Sequence, residues 1–256
     1  HTAQLGKRWH RYPLWITYID WWDPASPYHI SRLTAPRQWR ERPRFCNFIY
    51  SNPTSIRAEF FLRLNEARPV DSLGGVLNNQ GRRLPTGPRA KMKALSEYTF
   101  TIAFENQLSP GYVTEKLLEP LIAGSVPIYW GPSEAKTDFN PEAFLFAEDF
   151  HGFAELVDHV TRLASSGGDD LVRLATAAPL PPGGIPYEHT PRFFVDRIAE
   201  LLSGPAEPPL PDRFRSIRLS PPLPTATQRL ARKARSTAGR ALRRLGLKQD
   251  RNPGPP

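Results

Sequence analysis

A chain of 256 residues with 39% apolar content is long enough to bury a core, as one large domain or two modest ones. Its formal charge of +9 is uneven, because nine Lys or Arg face only Asp250 between Ala226 and Pro256, which leaves +1 for the first 225 residues. No apolar run is long enough to span a bilayer and no signal peptide is legible; a single cysteine, Cys46, excludes an internal disulfide and fits a reducing, cytosolic setting, and six scattered histidines offer no zinc spacing.

Residues 1–43 carry Trp9, Trp15, Trp21 and Trp22 and then Pro24, Pro27 and Pro36, without a helical or strand period. They read as the end of a domain followed by a linker near Arg37 to Pro43. Arg44 to Tyr50, RFCNFIY, is a buried strand closed by Ser51-Asn52-Pro53, and a helix is predicted from Thr54 to Ala67 with Phe60, Phe61 and Leu64 inward. Arg57 falls in its first turn, where it opposes the helix dipole unless an anion is present. Val70 to Leu73 reads as a parallel strand, 77–88 as a polar loop with solvated Arg82, Arg83 and Arg89, and 89–97 as a short helix. Tyr98 to Phe104 is the next strand, apolar and β-branched.

The stretch that follows, FENQLSPGYVTEKLLEPLIAGSVPIYWG from Phe104 to Gly131, is the most informative in the chain. Thr114 is a plausible N-cap, Leu117, Leu118, Leu121 and Ile122 share a helical face, Gly124 ends the helix, and Val126 to Trp130 is a strand. Two strands joined through a helix make a βαβ unit, and ligands bind beyond the strands' carboxyl ends, where Asn106, Tyr112, Glu115 and Lys116 fall. A helix amino terminus reinforced by Lys116 receives a phosphate or diphosphate, and Glu115 accepts from sugar hydroxyls or stabilises positive charge on a sugar ring. Together they suit a nucleotide-sugar, although an ordinary solvated first turn would show the same spacing. Pro120, with no N–H and a ring that crowds the carbonyl of Lys116, predicts a kink. Beyond Gly131 come a helical turn at 133–139, a strand at 143–146 and helices near 150–164, 169–177 and 191–202. His151 and His159 read as surface or capping residues.

FEN followed by GYVTEK, an amphipathic helix and AGSVPIYWG resembles the signature of the α1,3/4-fucosyltransferases, glycosyltransferase family 10, over about thirty residues. The resemblance implies an α/β fold of GT-B type with a Rossmann-like parallel sheet, a GDP-fucose donor, inverting transfer to a glycan hydroxyl such as that of GlcNAc or Glc, and no obligatory metal or cofactor. Carried over, Asn106 and Tyr112 contact the nucleotide or its ribose, Glu115 the fucose as the catalytic carboxylate, and Lys116 and Arg57 the diphosphate; Asp138 and Asn140 border the base and ribose pocket. KRWHRYPLWITY resembles the stretch closing the acceptor-binding domain of bacterial relatives. On that reading 1–43 is a remnant of that domain with its linker and 44–203 is the GDP-sugar-binding domain. The general base belongs to the absent part. Asp20 and Asp23, the carboxylates of the remnant, read as solvated surface acids.

Seven prolines between Gly204 and Pro224 mark 204–225 as a linker, and 226–256 as a basic amphipathic tail with Leu230, Ala234, Ala238, Ala241 and Leu245 at helical spacing. The tail resembles the cationic ends of some bacterial fucosyltransferases, which implies a cytoplasmic protein held peripherally on an anionic inner membrane through 226–251; a solvated tail is the other reading. Nucleic acid is disfavoured because no aromatic residue stands between the charges. Two further functional readings stay open: a non-catalytic nucleotide-sugar binding module, and a GT-B transferase for another sugar.

Overall fold

The computed structural model describes residues 11–81, 83, 84 and 87–203. Trp9, Arg82, the proline-rich 204–225 and the basic 226–256 lie outside the described residues, and with them the expected membrane contact.

Five strands, β1 (Arg44–Phe48), β2 (Asp71–Ser72), β3 (Tyr98–Phe104), β4 (Val126–Trp130) and β5 (Leu145–Phe146), form one sheet in the order β2-β1-β3-β4-β5, with every neighbouring pair parallel. Parallel strands need crossovers, and the helices supply them: α2 (Ser55–Ala67) and α3 (Pro88–Leu95) on either side of β2, α4 (Glu115–Ala123) between β3 and β4, and the short α5 (Ala135–Asp138) before β5. α1 (Ser31–Thr34) precedes the sheet, and α6 (Phe153–Ser166), α7 (Asp169–Thr176) and α8 (Pro191–Ser203) follow it. The strand order reverses between β1 and β3, so their carboxyl ends diverge into the crevice where doubly wound sheets hold ligands.

The period-2 alternation of the central strands sends side chains to two cores. Phe48, Phe100, Ile102, Phe104, Val126, Ile128 and Trp130 meet Phe60 and Leu64 of α2 and Leu156, Val160 and Leu163 of α6. On the opposite face Ala103 and Tyr129 meet Leu117, Leu118 and Leu121 of α4, with Trp15, Ile16, Ile19 and Leu33 packed among them. The amino-terminal segment therefore completes the core of the sheet domain over its described part. Its anchors are polar as well as apolar: Trp15 N donates to the carbonyl of Val113 at 3.1 Å, and Tyr28 Oη donates to the buried Glu119 of α4 at 2.5 Å. Asp20 and Asp23 are turn formers: Asp20 Oδ1 accepts from the backbone of Trp22 and Asp23 at 3.1 and 3.0 Å, and Asp23 Oδ1 from Ala25 at 2.9 Å.

α4 runs continuously from Glu115 through Pro120 to Ala123. The nine-residue helix places Pro120 only one turn and a half from its start, so a single intrahelical bond is lost. Its own carbonyl then accepts from Ser125 N at 2.9 Å while Gly124, at φ 76°, donates to Leu121 at 3.2 Å, the paired closure of a left-handed C-terminal turn.

Gly74 follows β2 against the end of β1, where a Cβ would stand 2.1 Å from the carbonyl oxygen of Tyr50. Gly74→Ala must push Tyr50 aside and is expected to cost about 3 kcal/mol. A urea midpoint unchanged from the parent chain would contradict this backbone contact.

Candidate functional site

The carboxyl ends of β1 and β3 bring together residues far apart in sequence. β3 ends at Phe104, so Glu105 and Asn106 leave the sheet at the crevice, and α2 and α4 both start there. Arg57, in the first turn of α2, is only 3% exposed. Its guanidinium lies over the rings of Tyr50 and Phe48, 4.6 and 5.5 Å from their centroids. Nη1 donates to Asn106 Oδ1 at 2.7 Å, bridging β1 and β3. No carboxylate is bonded to Arg57, and its Nε is buried without an acceptor among the described residues. Burial holds its pKa below the usual arginine value, against the pull of Tyr50, Glu105 and Glu115.

Lys116 stands differently. Its Nζ lies 3.2 Å from Glu105 Oε2, 3.4 Å from Glu115 Oε1 and 3.2 Å from Thr114 Oγ1. Glu105, with no exposed surface, is the hub that sequence reasoning passed over. It accepts from Thr114 N at 2.8 Å, and the Thr114 hydroxyl lies 2.9 and 2.8 Å from its two oxygens. Burial pushes the Glu105 carboxyl up, and Lys116 and the Thr114 donors pull it only part of the way back. The start of α4 is thus already served by an internal carboxylate: Thr114 is the expected N-cap, accepting from Lys116 N at 3.4 Å, and Glu105 fixes Thr114.

The start of α2 is open by comparison. Thr54 occupies its N-cap position without a side-chain cap, and Thr54 Oγ1 is buried with no partner among the described residues. Tyr50 Oη instead accepts from Thr54 N at 2.6 Å and donates to its carbonyl at 3.0 Å. Orphan N–H groups and a partial positive charge are therefore available beside Arg57, and an anion fits there better than at α4.

Glu115 sits at the rim. Burial raises its pKa, but Lys116, its own backbone N–H and Lys91 outweigh that, and the carboxyl lies below the ordinary glutamate value. Across from it stands Tyr18, on the short 3-10 turn Leu14–Tyr18, with its phenol pushed up to about 12 by burial and by Glu115. Tyr112 is half-buried after the turn in which its N–H donates to the carbonyl of Ser109 at 3.0 Å. Arg57, Asn106, Glu115 and Lys116 are thus gathered at one crevice, with Tyr112 at its edge. Tyr18 was not legible as a site residue, because nothing in LWITY announces which helix the segment will lie against.

Asp138, expected at the rim of a base and ribose pocket, is committed elsewhere: Arg11 donates to its two oxygens at 2.6 Å each and Trp15 Nε1 donates at 3.1 Å. Asn140 caps the 3-10 turn Pro141–Ala143 and donates to the carbonyl of Ala178 at 2.9 Å. His159 rests against Phe150, ring centroids 5.2 Å apart. Among the described residues no helix is long and apolar enough to cross a membrane.

The family model "Glycosyltransferase family 10 (fucosyltransferase) C-term" matches residues 17–169. Among curated relatives, the chain is 38% identical over 120 residues to the alpha-(1,3)-fucosyltransferase FucT of Helicobacter pylori, covering 46% of this chain and 24% of that protein. It is 35% identical over 159 residues to the human 4-galactosyl-N-acetylglucosaminide 3-alpha-L-fucosyltransferase FUT6, covering 58% and 40%. A crystal structure of an alpha1,3-fucosyltransferase with GDP-fucose superimposes with a TM-score of 0.58 at 30% identity, over 65% of this chain and 49% of that one. The chain therefore spans about a quarter to two fifths of these curated relatives and about half of the solved structure. With the matched region running through β1 to α6 and the crevice at its centre, the chain belongs to glycosyltransferase family 10, the fucosyltransferase family.

Proposed function

We propose that this chain holds GDP-fucose at the crevice between β1 and β3 for inverting transfer of fucose to a glycan hydroxyl, in α1,3 or α1,4 linkage, with no obligatory metal. The observation that carries the reading is Arg57: a buried guanidinium braced by Tyr50 and Asn106, with no carboxylate bonded to it among the described residues, beside an uncapped helix start. The diphosphate would lie against Arg57 and the first N–H groups of α2. Lys116 adds charge from the far side, tempered by Glu105. Asn106 and Tyr112 would border the nucleotide or its ribose, and Glu115 would accept from fucose hydroxyls and stabilise the positive charge that develops on the ring. In the transfer, the acceptor oxygen bonds to the anomeric carbon as the bond to the phosphate oxygen breaks and GDP leaves; the proton of the acceptor hydroxyl goes to a base. Asp20 and Asp23 are occupied with backbone N–H groups, and Glu105 is fully buried, so none of these suits that step. Cytoplasmic placement, with 226–251 on an anionic membrane, belongs to the same proposal and rests on the charge of the tail.

Calorimetry of the chain with GDP-fucose, GDP-mannose and UDP-galactose tests the assignment. Tight binding of the fucose donor and at least tenfold weaker binding of the uridine sugar is the expected result. Equal affinity for both nucleotides would remove it and favour a transferase for another sugar.

A further inference from the structure

The opposite rim of the sheet carries a second concentration of positive charge that the donor reading does not use. A cavity of about 700 Å³ opens beside the amino ends of β3 and β4, lined among others by Arg32, Arg37, Arg40, Arg42, Ser96 and Gly124. Among the described residues Glu41 is the one acid in its lining. β3 is seven residues long, so this cavity lies about 20 Å from the Arg57 crevice along the strands.

Two of the arginines are built into the wall. Arg42 donates from Nη2 to the carbonyl of Gly124 at 2.9 Å and from Nη1 to that of Ser96, so the partial negative charge at the end of α4 is met before it reaches the cavity. Arg37 is the telling one. Its Nη1 donates to the carbonyl of Ala177 at 3.2 Å, while Nε and Nη2 are buried with no acceptor among the described residues. Burial, with Arg42 nearby, brings the Arg37 guanidinium down to about 10. Burial and Arg40 also lower Arg42. Like charges crowded around a buried guanidinium raise the free energy of the empty cavity; Arg37 acts through its charge from within the wall, and an oxyanion bridging the exposed Arg32 and Arg40 lowers it, since the guanidinium fork matches phosphate bidentately.

We propose that this arginine-lined cavity is a second binding site, for a phosphate-bearing anion, independent of the crevice at Arg57. Its volume exceeds what inorganic phosphate needs and admits a sugar phosphate, a pyrophosphate or a lipid phosphate headgroup.

Pyrophosphate titrated into the Arg57→Met form of the full 256-residue chain at low salt reads this site with the donor crevice disabled. Saturable binding is expected, weakened at least tenfold by adding Arg37→Met or, separately, Arg40→Gln. Arg40 is exposed, so its variant keeps the test sound should the other fail to fold. Sedimentation with phosphatidylglycerol vesicles distinguishes the source: an Arg37-dependent share of vesicle binding, displaced by pyrophosphate, identifies a lipid headgroup, whereas Arg37-dependent pyrophosphate binding alone identifies a free phosphorylated molecule. Failure of both ligands to sense Arg37 and Arg40 overturns the proposal. Failure of the donor assignment would instead appear as GDP-fucose binding that is absent from the parent chain or unchanged by Arg57→Met.

Discussion

Arg57→Met is expected to weaken GDP-fucose binding by about 100-fold or more while leaving the unliganded chain as stable as before, or slightly more so. Removing one partner of a desolvated charge pair costs about 2–5 kcal/mol of binding, and each 1.4 kcal/mol is tenfold. The stability side has the opposite sign because Arg57 is a buried cation whose Nε has no partner, and whose guanidinium has no bonded carboxylate, among the described residues, and an apolar side chain of similar volume escapes that desolvation. Arg57→Lys sharpens the test: it keeps the charge but loses the fork that reaches Asn106 and the flat face that lies on Tyr50. It should therefore recover little affinity. Equilibrium unfolding and donor titration on the same samples separate the two effects; a variant that loses stability in step with affinity would make Arg57 a packing residue.

The second large effect belongs to Glu105. Glu105→Ala removes the acceptor of Thr114 N, the partner of the Thr114 hydroxyl and the closest carboxylate to the partly exposed Lys116, with Glu105 and Thr114 themselves closed to water. Breaking a buried pair from one side costs about 3–5 kcal/mol, a large part of the 5–15 kcal/mol typical of a domain. Because α4 begins on that network, donor affinity should fall with it. Glu105→Gln gives the pH signature. The folded carboxyl titrates above its unfolded value, so the folded chain binds more protons in the window between the two, and the wild-type contribution declines as pH rises from about 4 through the raised pKa. The gap in stability between wild type and Glu105→Gln should narrow over that window and then stay constant. Glu115, which lies below its ordinary value, contributes in the other sense, with stability present above the unfolded value and lost on acidification. A gap that does not change between pH 4 and pH 8 would mean that Glu105 is not titrating against its burial.

How much of this was open to reading in the chain divides along physical lines. The strands Tyr98–Phe104 and Val126–Trp130, the helix between them and its Gly124 ending follow from local signals, namely apolar runs, an N-cap threonine and a left-handed turn that only glycine takes easily. The same signals put Arg57 and Lys116 at helix starts, and a parallel sheet requires those starts to share one rim. Pairing is not a local property. That Lys116 is met by Glu105, that Arg57 reaches Asn106 and, among the described residues, no carboxylate, and that Tyr18 comes to stand by Glu115 depend on side-chain directions across elements eleven to almost a hundred residues apart. Asp138 makes the point in reverse, since its commitment to Arg11 and Trp15 spans 127 and 123 positions of sequence. Residue type and period determined the sheet, its helices and the rim at which chemistry collects. Only the packed tertiary structure decided which charges there are already neutralised and which remain to hold an anion, because Coulomb energy and desolvation depend on distance and burial, which the order of residues does not contain.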